Sequence, residues 1–187
     1  MQVLKEEIRK KILLTAEDMF FELGFEQTTM RNIAESIGIS VSNLYLYYKN
    51  KEAIFTDVVE GFNRYFFDGL TEFLDHNDFE VDIAEKLSRI LKEVIANDHK
   101  KFVILMDKSG KTSYEGVKAQ IIQSLNEHIG AQMSKTKNNN DLVFAIIISN
   151  LFNGIIDIAK HYKNEEWLED ALNILVKYHT KGMKQFL

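Results

Sequence analysis

The stretch that decides the fold is residues 29–51, TMRNIAESIGISVSNLYLYYKNK. Thr29 and Ser40 each stand just before a short helix-forming run. Both residue types favour the N-cap position, where a side-chain oxygen accepts a hydrogen bond from a backbone N–H. Gly38 lies between the two runs, and glycine readily adopts the left-handed conformation that a sharp turn needs. The sequence therefore predicts two short helices joined by a tight turn, a helix-turn-helix over residues 29–48.

The apolar residues of this stretch predict which way the second short helix faces. Leu44 and Tyr48 are four residues apart and so share one helix face, which we expect to pack inward against Ile33 and Ile37. The opposite side then presents Ser42, Asn43, Tyr45 and Leu46. Hydroxyl, amide, aromatic and apolar groups can meet base edges and thymine methyl groups in a DNA major groove. The motif is therefore a candidate for reading DNA.

The charge of this stretch differs from that of the whole chain. The 187-residue chain has a formal net charge of −5, yet residues 29–51 hold three basic residues against the single acid Glu35. DNA phosphates attract lysine and arginine, and helix N-termini add partial positive charge. The alternative is that the lysines form an ordinary solvated helix face. The expected DNA contacts are Thr29, Arg31, Ser40, Val41, Ser42, Asn43, Tyr45, Tyr47, Lys49 and Lys51.

Helical spacing of apolar residues continues along nearly the whole chain. Helices are predicted from about Ile8 to Gly24, after Asn50 to about Asp75, around residues 79–95 and 102–106, after a Thr112–Glu115 capping box, and at about 141–162 and 165–186. No alternating strand pattern of useful length accompanies them. The predicted fold class is all-α, with about nine helices.

Composition narrows the class of protein further. About 45% of the residues are apolar, which is enough for a packed core, and the absence of cysteine excludes disulfides and thiolate–metal sites. The longest apolar run, residues 142–148, is far shorter than the roughly 20 residues that cross a bilayer. The charged N-terminus does not resemble a signal peptide. We therefore expect a cytoplasmic protein with no membrane partner.

The residues of the predicted helix-turn-helix resemble the DNA-binding signature of the TetR family of bacterial transcriptional regulators. The matching positions are Thr29, Ile33-Ala34, Gly38-Ile39-Ser40, Ser42, Leu44-Tyr45, Tyr47-Tyr48 and Lys51-Glu52. The upstream run ILLTAEDMFFELGFEQTT also fits, so the resemblance covers roughly residues 5–66. Ser42 stands where the family frequently has glycine, and Tyr47 where it frequently has histidine. These two departures leave the operator sequence open.

This resemblance implies a homodimeric repressor built from two domains. Residues 6–66 would form the DNA-binding domain, and residues 67–187 a regulatory domain for ligand binding and dimerisation. Each subunit would place its second short helix in one of two successive major grooves of a pseudo-palindromic operator, with centres about 34–36 Å apart. A small-molecule effector of unknown identity would change the spacing of the two heads and release DNA.

The two closing helices are unusually apolar, which favours burial against a second copy of the chain. We expect them to pair with their copies in a four-helix interface; the alternative is that they form the core of one subunit. Polar and aromatic residues among apolar helices are candidates for an effector pocket. They are Phe62, Tyr65, Phe66, Asp107, Tyr114, Asn150 and Asn153. The two asparagines have an alternative role as satisfied packing groups.

Nothing in the sequence favours catalysis. It shows no Gly-rich phosphate loop and no nucleophile–base signature. Asp157 and His161 make one pair, whereas a metal site needs three or four converging ligands. We therefore expect no catalytic residue, no metal site and no cofactor. Two other interpretations stay open: an architectural or cell-cycle DNA-binding protein on the same fold without an effector, and an all-α carrier or enzyme with a vestigial helix-turn-helix.

Overall fold

The structure, a computed structural model, describes residues 2–75, 83–133 and 141–183, and within these ranges every regular element is a helix. The elements are α1 (Gln2–Gln27), α2 (Met30–Ser36), α3 (Val41–Leu44), α4 (Lys51–Asp75), α5 (Ile83–Asp107), α6 (Val117–Met133), α7 (Asp141–Lys160) and α8 (Glu165–Met183). The predicted all-α class is confirmed. The predicted start and end of α4 are also confirmed.

Two of these helices contain a break in helical geometry. Gly24 in α1 has φ = 78° and ψ = 168°, which ends the first helical run where the sequence predicts a C-terminal cap. Asp98 in α5 has φ = −158° and ψ = 57°, so residues 83–97 and 99–107 are two helical segments placed end to end. With α5 counted as two segments, the described helices agree with the predicted number of about nine.

α5 is the central element, because it packs against α1, α4, α6, α7 and α8. Phe102 on α5 is fully buried. Its ring centroid lies 6.5 Å from that of Phe62, 5.9 Å from that of Phe66 and 6.4 Å from that of Phe152. Aromatic rings at such separations pack favourably. The ring of Phe102 thus ties α4 and α7 to the middle of the fold.

α4 connects the N-terminal helices to the rest of the chain. Near its start, Phe55 packs on Phe20 of α1 at a centroid separation of 5.1 Å, and further along it packs on α5. Buried side chains form one continuous cluster from α1 to α8. The predicted domain boundary between residues 66 and 67 falls inside this helix. The division into two domains therefore stays a prediction.

The segment between α5 and α6 differs from the prediction of a capping box. Residues 109–116 form turns, and α6 begins only at Val117. The carboxylate of Glu115 accepts a hydrogen bond from the N–H of Lys111 at 3.2 Å, not from that of Thr112. Thr112 instead closes a turn with Ser109, because its N–H and its hydroxyl both donate to the carbonyl of Ser109, at 3.1 and 2.7 Å, and Lys111 inside that turn has a positive φ of 64°. The predicted helix start near residue 79 and the predicted helix end near residue 186 lie outside the described residues.

Candidate nucleic-acid interface

Two side-chain caps start the helices of the predicted helix-turn-helix. The hydroxyl oxygen of Thr29 accepts a hydrogen bond from the N–H of Asn32 at 3.1 Å, and Thr29 is the N-cap of α2. The hydroxyl oxygen of Ser40 accepts one from the N–H of Asn43, also at 3.1 Å, and Ser40 is the N-cap of α3. Both predicted caps are confirmed. They fix where each short helix begins.

The turn between α2 and α3 depends on Gly38. Its φ of 73° lies in the left-handed region, where a residue with a side chain costs about 1–2 kcal/mol. The N–H of Ile39 then donates to the carbonyl of Ala34 at 3.0 Å. This bond brings the start of α3 back against α2, so the predicted glycine turn is confirmed.

α3 is shorter than the sequence predicts. Regular helix ends at Leu44, and the chain continues in tight turns in which the N–H groups of Leu46 and Tyr47 donate three residues back, at 3.1 and 3.0 Å. The N–H of Tyr48 returns to four-residue spacing and donates to Leu44 at 3.1 Å. Helical winding is thus kept in a tighter form. We call residues 41–48 the recognition segment.

The recognition segment has one buried side and one exposed side. Leu44 is fully buried and Tyr48 is 7% exposed, which confirms the predicted inward face. On the other side Tyr45 is 52% exposed and Leu46 is 77% exposed, and Ser42 is exposed as well. Half-buried are Val41, Asn43 and Tyr47. Of the four side chains predicted to face outward, Ser42, Tyr45 and Leu46 are therefore exposed, whereas Asn43 is half-buried.

The basic residues at the ends of this motif differ in their surroundings. Arg31 donates to the carboxylate of Glu35 at 2.6 Å across one turn of α2. The single acid of the stretch therefore neutralises one of its three basic residues. Lys49 is exposed directly after the recognition segment. Of these two residues, Lys49 is the better placed to meet a phosphate.

Lys51 makes contacts that the sequence analysis missed. Its ammonium donates to the carbonyl oxygens of Phe25 and Thr28, the latter at 2.6 Å, and lies 4.0 Å from the centroid of the Phe25 ring. Burial lowers the pKa of this ammonium from its ordinary value. Lys51 thereby joins the end of α1 to the start of α4. The contact between Lys51 and a phosphate stays a prediction. The residues next to Lys51 in the sequence do not indicate the carbonyl groups that the fold brings to its ammonium.

A cluster of three polar side chains holds the buried end of the recognition segment. The hydroxyl of Tyr48 donates to the carboxylate of Asp57 at 2.5 Å. The guanidinium of Arg9 donates to the same carboxylate at 2.7 Å and to the Tyr48 oxygen at 3.1 Å. Arg9 belongs to α1 and Asp57 to α4. One tyrosine therefore fastens the recognition segment to both helices.

The protonation of this cluster reflects its geometry. Burial raises the pKa of Tyr48 to about 12, and the neighbouring Asp57 carboxylate adds to the rise. Burial would also raise the pKa of Asp57, but hydrogen bonds from Tyr48 and Arg9 outweigh it and hold that pKa below its ordinary value. At neutral pH the cluster is therefore a neutral phenol, a carboxylate and a guanidinium, which is the state that makes all three hydrogen bonds.

The turn between α5 and α6 contacts the start of α4 and the end of α1. The N–H and the hydroxyl of Ser113 both donate to the carboxylate of Glu52, at 2.9 and 3.0 Å. The ammonium of Lys111 lies 2.5 Å from the carboxylate of Glu26. These bonds link the turn to α4 and α1, the two helices that flank the helix-turn-helix. They add to the connection made by α4 itself and by the packing of α1 on α5.

A cavity of about 600 Å³ lies among α4, α5, α6 and α7. Its largely apolar wall includes Tyr65, Phe66, Phe73, Leu91, Leu125 and Phe152. Of the predicted pocket residues, Tyr65 and Phe66 line it. Phe62 lines a neighbouring groove of about 550 Å³ between α1, α4 and α5. The helical spacing of apolar residues predicts the helices that supply the remaining wall. It does not distinguish a side chain in a packed core from one in a cavity wall.

Four predicted pocket residues lie away from this cavity. They are Asp107, Tyr114, Asn150 and Asn153. Asp107 pairs instead with Lys160 at 3.1 Å, and the Tyr114 ring packs on that of Phe55 at 5.9 Å. The two asparagines are exposed on α7, so they point away from the helices that enclose the cavity. The assumption that polar residues inside an apolar run face inward was wrong for this helix.

The side chains of Asp157 and His161 bond to other partners and not to each other. A ring nitrogen of His161 lies 2.8 Å from the backbone carbonyl of Asp157, and the Asp157 carboxylate pairs with Lys160 at 3.3 Å. Within residues 2–75, 83–133 and 141–183, no group of three or more His, Cys, Asp or Glu residues is placed to hold a metal ion.

The fold and the exposed recognition segment together have the form of a helix-turn-helix DNA-binding protein. Residues 12–58 match the family model described as bacterial regulatory proteins, tetR family. The HTH-type transcriptional repressor KstR2 of Mycolicibacterium smegmatis is 30% identical over 105 residues, which is 56% of this chain and 51% of that protein. The biofilm operon icaADBC negative transcriptional regulator IcaR of Staphylococcus epidermidis is 37% identical over 70 residues, or 37% of this chain and 38% of that protein.

Similarity of fold extends over nearly the whole chain. The crystal structure of a TetR-family transcriptional regulator from Bordetella parapertussis 12822 matches with a TM-score of 0.68 at 18% identity, covering 91% of this chain and 94% of that one. Residues 12–58 are therefore similar to the tetR family of bacterial regulatory proteins, and both curated relatives are transcriptional regulators. In sequence, the chain spans about half the length, or less, of these two relatives.

The substitution Asp57→Asn tests the polar cluster. At pH 7 we expect it to lower the free energy of unfolding by about 1–2 kcal/mol, because the charged carboxylate accepts hydrogen bonds from two side chains. Since the folded state lowers the pKa of Asp57, this contribution is complete above the ordinary value of about 3.9 and is lost as the pH falls through the folded-state value. Urea denaturation between pH 7 and pH 2 measures it.

The matched control for this substitution is Asp68→Asn, on an exposed position of the same helix. It should leave the free energy of unfolding within about 0.5 kcal/mol of the wild type at every pH. An Asp57→Asn deficit that stays the same size at pH 2 would contradict the role given to the charged carboxylate.

Proposed function

We propose that the protein is a transcriptional repressor that binds a pseudo-palindromic operator as a homodimer and is released by a small apolar effector. The observation that carries this proposal is the recognition segment. Its Leu44 and Tyr48 are buried, while Ser42 and Tyr45 are turned to solvent on a capped helix-turn-helix. Repression is the direction supported by the names of the two relatives, a repressor and a negative regulator.

We assign different parts of the interface to bases and to phosphates. Ser42, Asn43 and Tyr45 carry the donors and acceptors that read base edges in a major groove. Lys49 and the N-terminus of α2 at Thr29 supply the positive charge that phosphates attract. Arg31 would add to it only after leaving Glu35, so its contribution is smaller. This division predicts different effects of substitution at the two kinds of position.

A homodimer is proposed because one surface of α7 and α8 is apolar and exposed. Its residues are Leu142 (74% exposed), Val143 (49%), Ile146 (49%), Ile174 (73%) and Tyr178 (74%). Exposed apolar side chains grouped on adjacent helices mark a protein interface. A second copy of the chain fits because a pseudo-palindromic operator needs two identical heads. Asn150 and Asn153 lie on exposed positions of α7, so we now assign them to this interface.

The same surface bears on where the protein resides. By length and composition, Leu142–Lys160 is apolar enough to cross a membrane, with a mean hydropathy of 2.0. The uninterrupted apolar run ends at residue 148, but apolar residues continue beyond Ser149, Asn150 and Asn153. Core helices of soluble proteins meet the same test, and α7 packs against α5, α6 and α8. We therefore propose a cytoplasmic homodimer whose interface covers the outer face of α7.

The cavity among α4, α5, α6 and α7 is the proposed effector site. Its volume of about 600 Å³ lies in the usual range for small-molecule sites. α4 lines it with Tyr65 and Phe66 and begins beside the recognition segment at Lys51. α6 lines it with Ile121 and Leu125 and follows the turn that bonds to Glu52. A molecule that displaces either helix would therefore move the DNA-binding helices.

Operator selection from genomic fragments at about 150 mM salt tests DNA binding directly. We expect a palindromic site, and we expect Lys49→Ala to weaken binding to all DNA and to reduce the slope of log affinity against log salt by about two, one for each subunit of the homodimer. Ser42→Ala should instead change which site is preferred. Lys163→Ala, at the connection of α7 and α8, is the control and should change neither quantity. Absence of any enriched sequence would refute the proposed function.

Replacing Ile174 by glutamate tests the dimer. Burying a carboxylate in an apolar interface is strongly unfavourable, so sedimentation equilibrium at micromolar concentration should show a dimer for the wild type and a monomer for Ile174→Glu. Leu14→Glu on α1 is the control, because Leu14 is also exposed, at 54%, and lies on another surface. A monomeric wild type would rule out the interface.

Binding of a fluorescent hydrophobic dye tests the effector cavity. Leu125→Trp should fill part of the cavity and weaken dye binding at least tenfold, while Asn153→Ala on the outer face of α7 should leave it unchanged. Equal dye binding by the wild type and Leu125→Trp would place the dye elsewhere and count against the cavity as the effector site.

A further inference from the structure

Leu46 is an apolar side chain in the most exposed part of the recognition segment. It is 77% exposed, the largest value among the exposed large apolar side chains of the described residues. Its neighbours on this surface are the hydroxyls of Ser42 and Tyr45, and Lys49 follows three residues later. The packing of the chain gives no reason for a leucine here, since the buried side of the segment is already supplied by Leu44 and Tyr48.

The backbone directs Leu46 away from the protein. Ser42 and Leu46 are both exposed, whereas Leu44 and Tyr48 are buried on the opposite side. The N–H of Leu46 donates three residues back, to the carbonyl of Asn43 at 3.1 Å, so the chain keeps winding in tighter turns through this position. Ser42 and Leu46 thus form an exposed ridge on the outer side of the recognition segment.

The chemistry of this ridge limits what Leu46 can contact on DNA. A leucine side chain offers nothing to a phosphate, which needs a positive charge or a hydrogen-bond donor. In the major groove, the apolar group that a base pair presents is the C5 methyl of thymine. We propose that Leu46 reads a thymine methyl in each half-site of the operator and so sets a preference for thymine at one position. This inference rests on the proposed DNA-binding function.

The experiment removes the thymine methyl and the leucine separately and together. An operator is selected with the wild-type chain from random-sequence duplexes. Each thymine pair related by its two-fold symmetry is then replaced by deoxyuridine, which lacks only the methyl group. Affinities are measured for the wild type, Leu46→Ala and Leu46→Met. Leu14→Ala, which truncates an exposed leucine on α1, is the matched control.

One thymine position should couple to Leu46. Burial of a methyl group corresponds to about fourfold in affinity, so loss of one in each half-site should weaken wild-type binding about fifteenfold. The same replacement should leave Leu46→Ala nearly unaffected, should still weaken Leu46→Met, and should weaken Leu14→Ala as much as the wild type. Because Leu46 is exposed, its truncation leaves the fold intact, which circular dichroism checks.

The outcomes separate the two proposals. A selected operator in which no thymine couples to Leu46, or equal losses for Leu46→Ala and wild type at every deoxyuridine, would overturn the assignment of Leu46 and leave the repressor proposal standing. Failure to select any operator would overturn the DNA-binding function and the assignment of Leu46 with it.

Discussion

The anchoring of Tyr48 is the interaction on which the geometry of the helix-turn-helix depends. α3 contains only four helical residues, Val41–Leu44, and a helix of that length has no stability of its own in water. Its outward side chains keep their positions because the buried side of the recognition segment is attached to α1 and α4. The Tyr48 ring supplies burial, and its hydroxyl supplies the bonds to Asp57 and Arg9. That attachment therefore sets the direction of every exposed side chain in the recognition segment.

The remaining helices extend this arrangement toward the cavity. α4 begins beside Tyr48 and continues along the cavity wall, so one rigid element touches both regions. The turn at residues 109–116 adds a second connection through Ser113 and Glu52. These two connections, together with the packing of α1 on α5, constrain the movement of the N-terminal helices more than one hinge would. A change at the cavity can reach the recognition segment along either connection.

Local sequence rules predicted the parts of the structure that local interactions decide. The caps at Thr29 and Ser40, the turn at Gly38 and the burial of Tyr48 each follow from residue type and spacing within one or two turns. The Arg31–Glu35 pair has the four-residue spacing of a helical ion pair, and the sequence analysis counted these charges without pairing them.

Contacts between distant segments were beyond the same rules. The carbonyl partners of Lys51 lie more than twenty residues earlier in the chain, and the partner of Asp107 is Lys160 on another helix. Asn150 and Asn153 were misplaced for a different reason. α7 is apolar around most of its circumference, so periodicity alone does not reveal which side meets the core.

The hydrogen bonds of Lys51 separate the proposed regulation by an effector from the proposed recognition of DNA. Its ammonium sits on the first residue of α4 and binds carbonyl groups near the end of α1, so α1 and α4 cannot rotate apart without breaking those bonds. The three N-terminal helices and the start of α4 therefore travel as one block. In the proposed homodimer, a movement of α4 would change the position of this block relative to the same block of the second subunit, while the surface presented to each half-site would be preserved. The position of the block would then decide whether the operator is bound, and the surface of the block would decide which DNA sequence is bound.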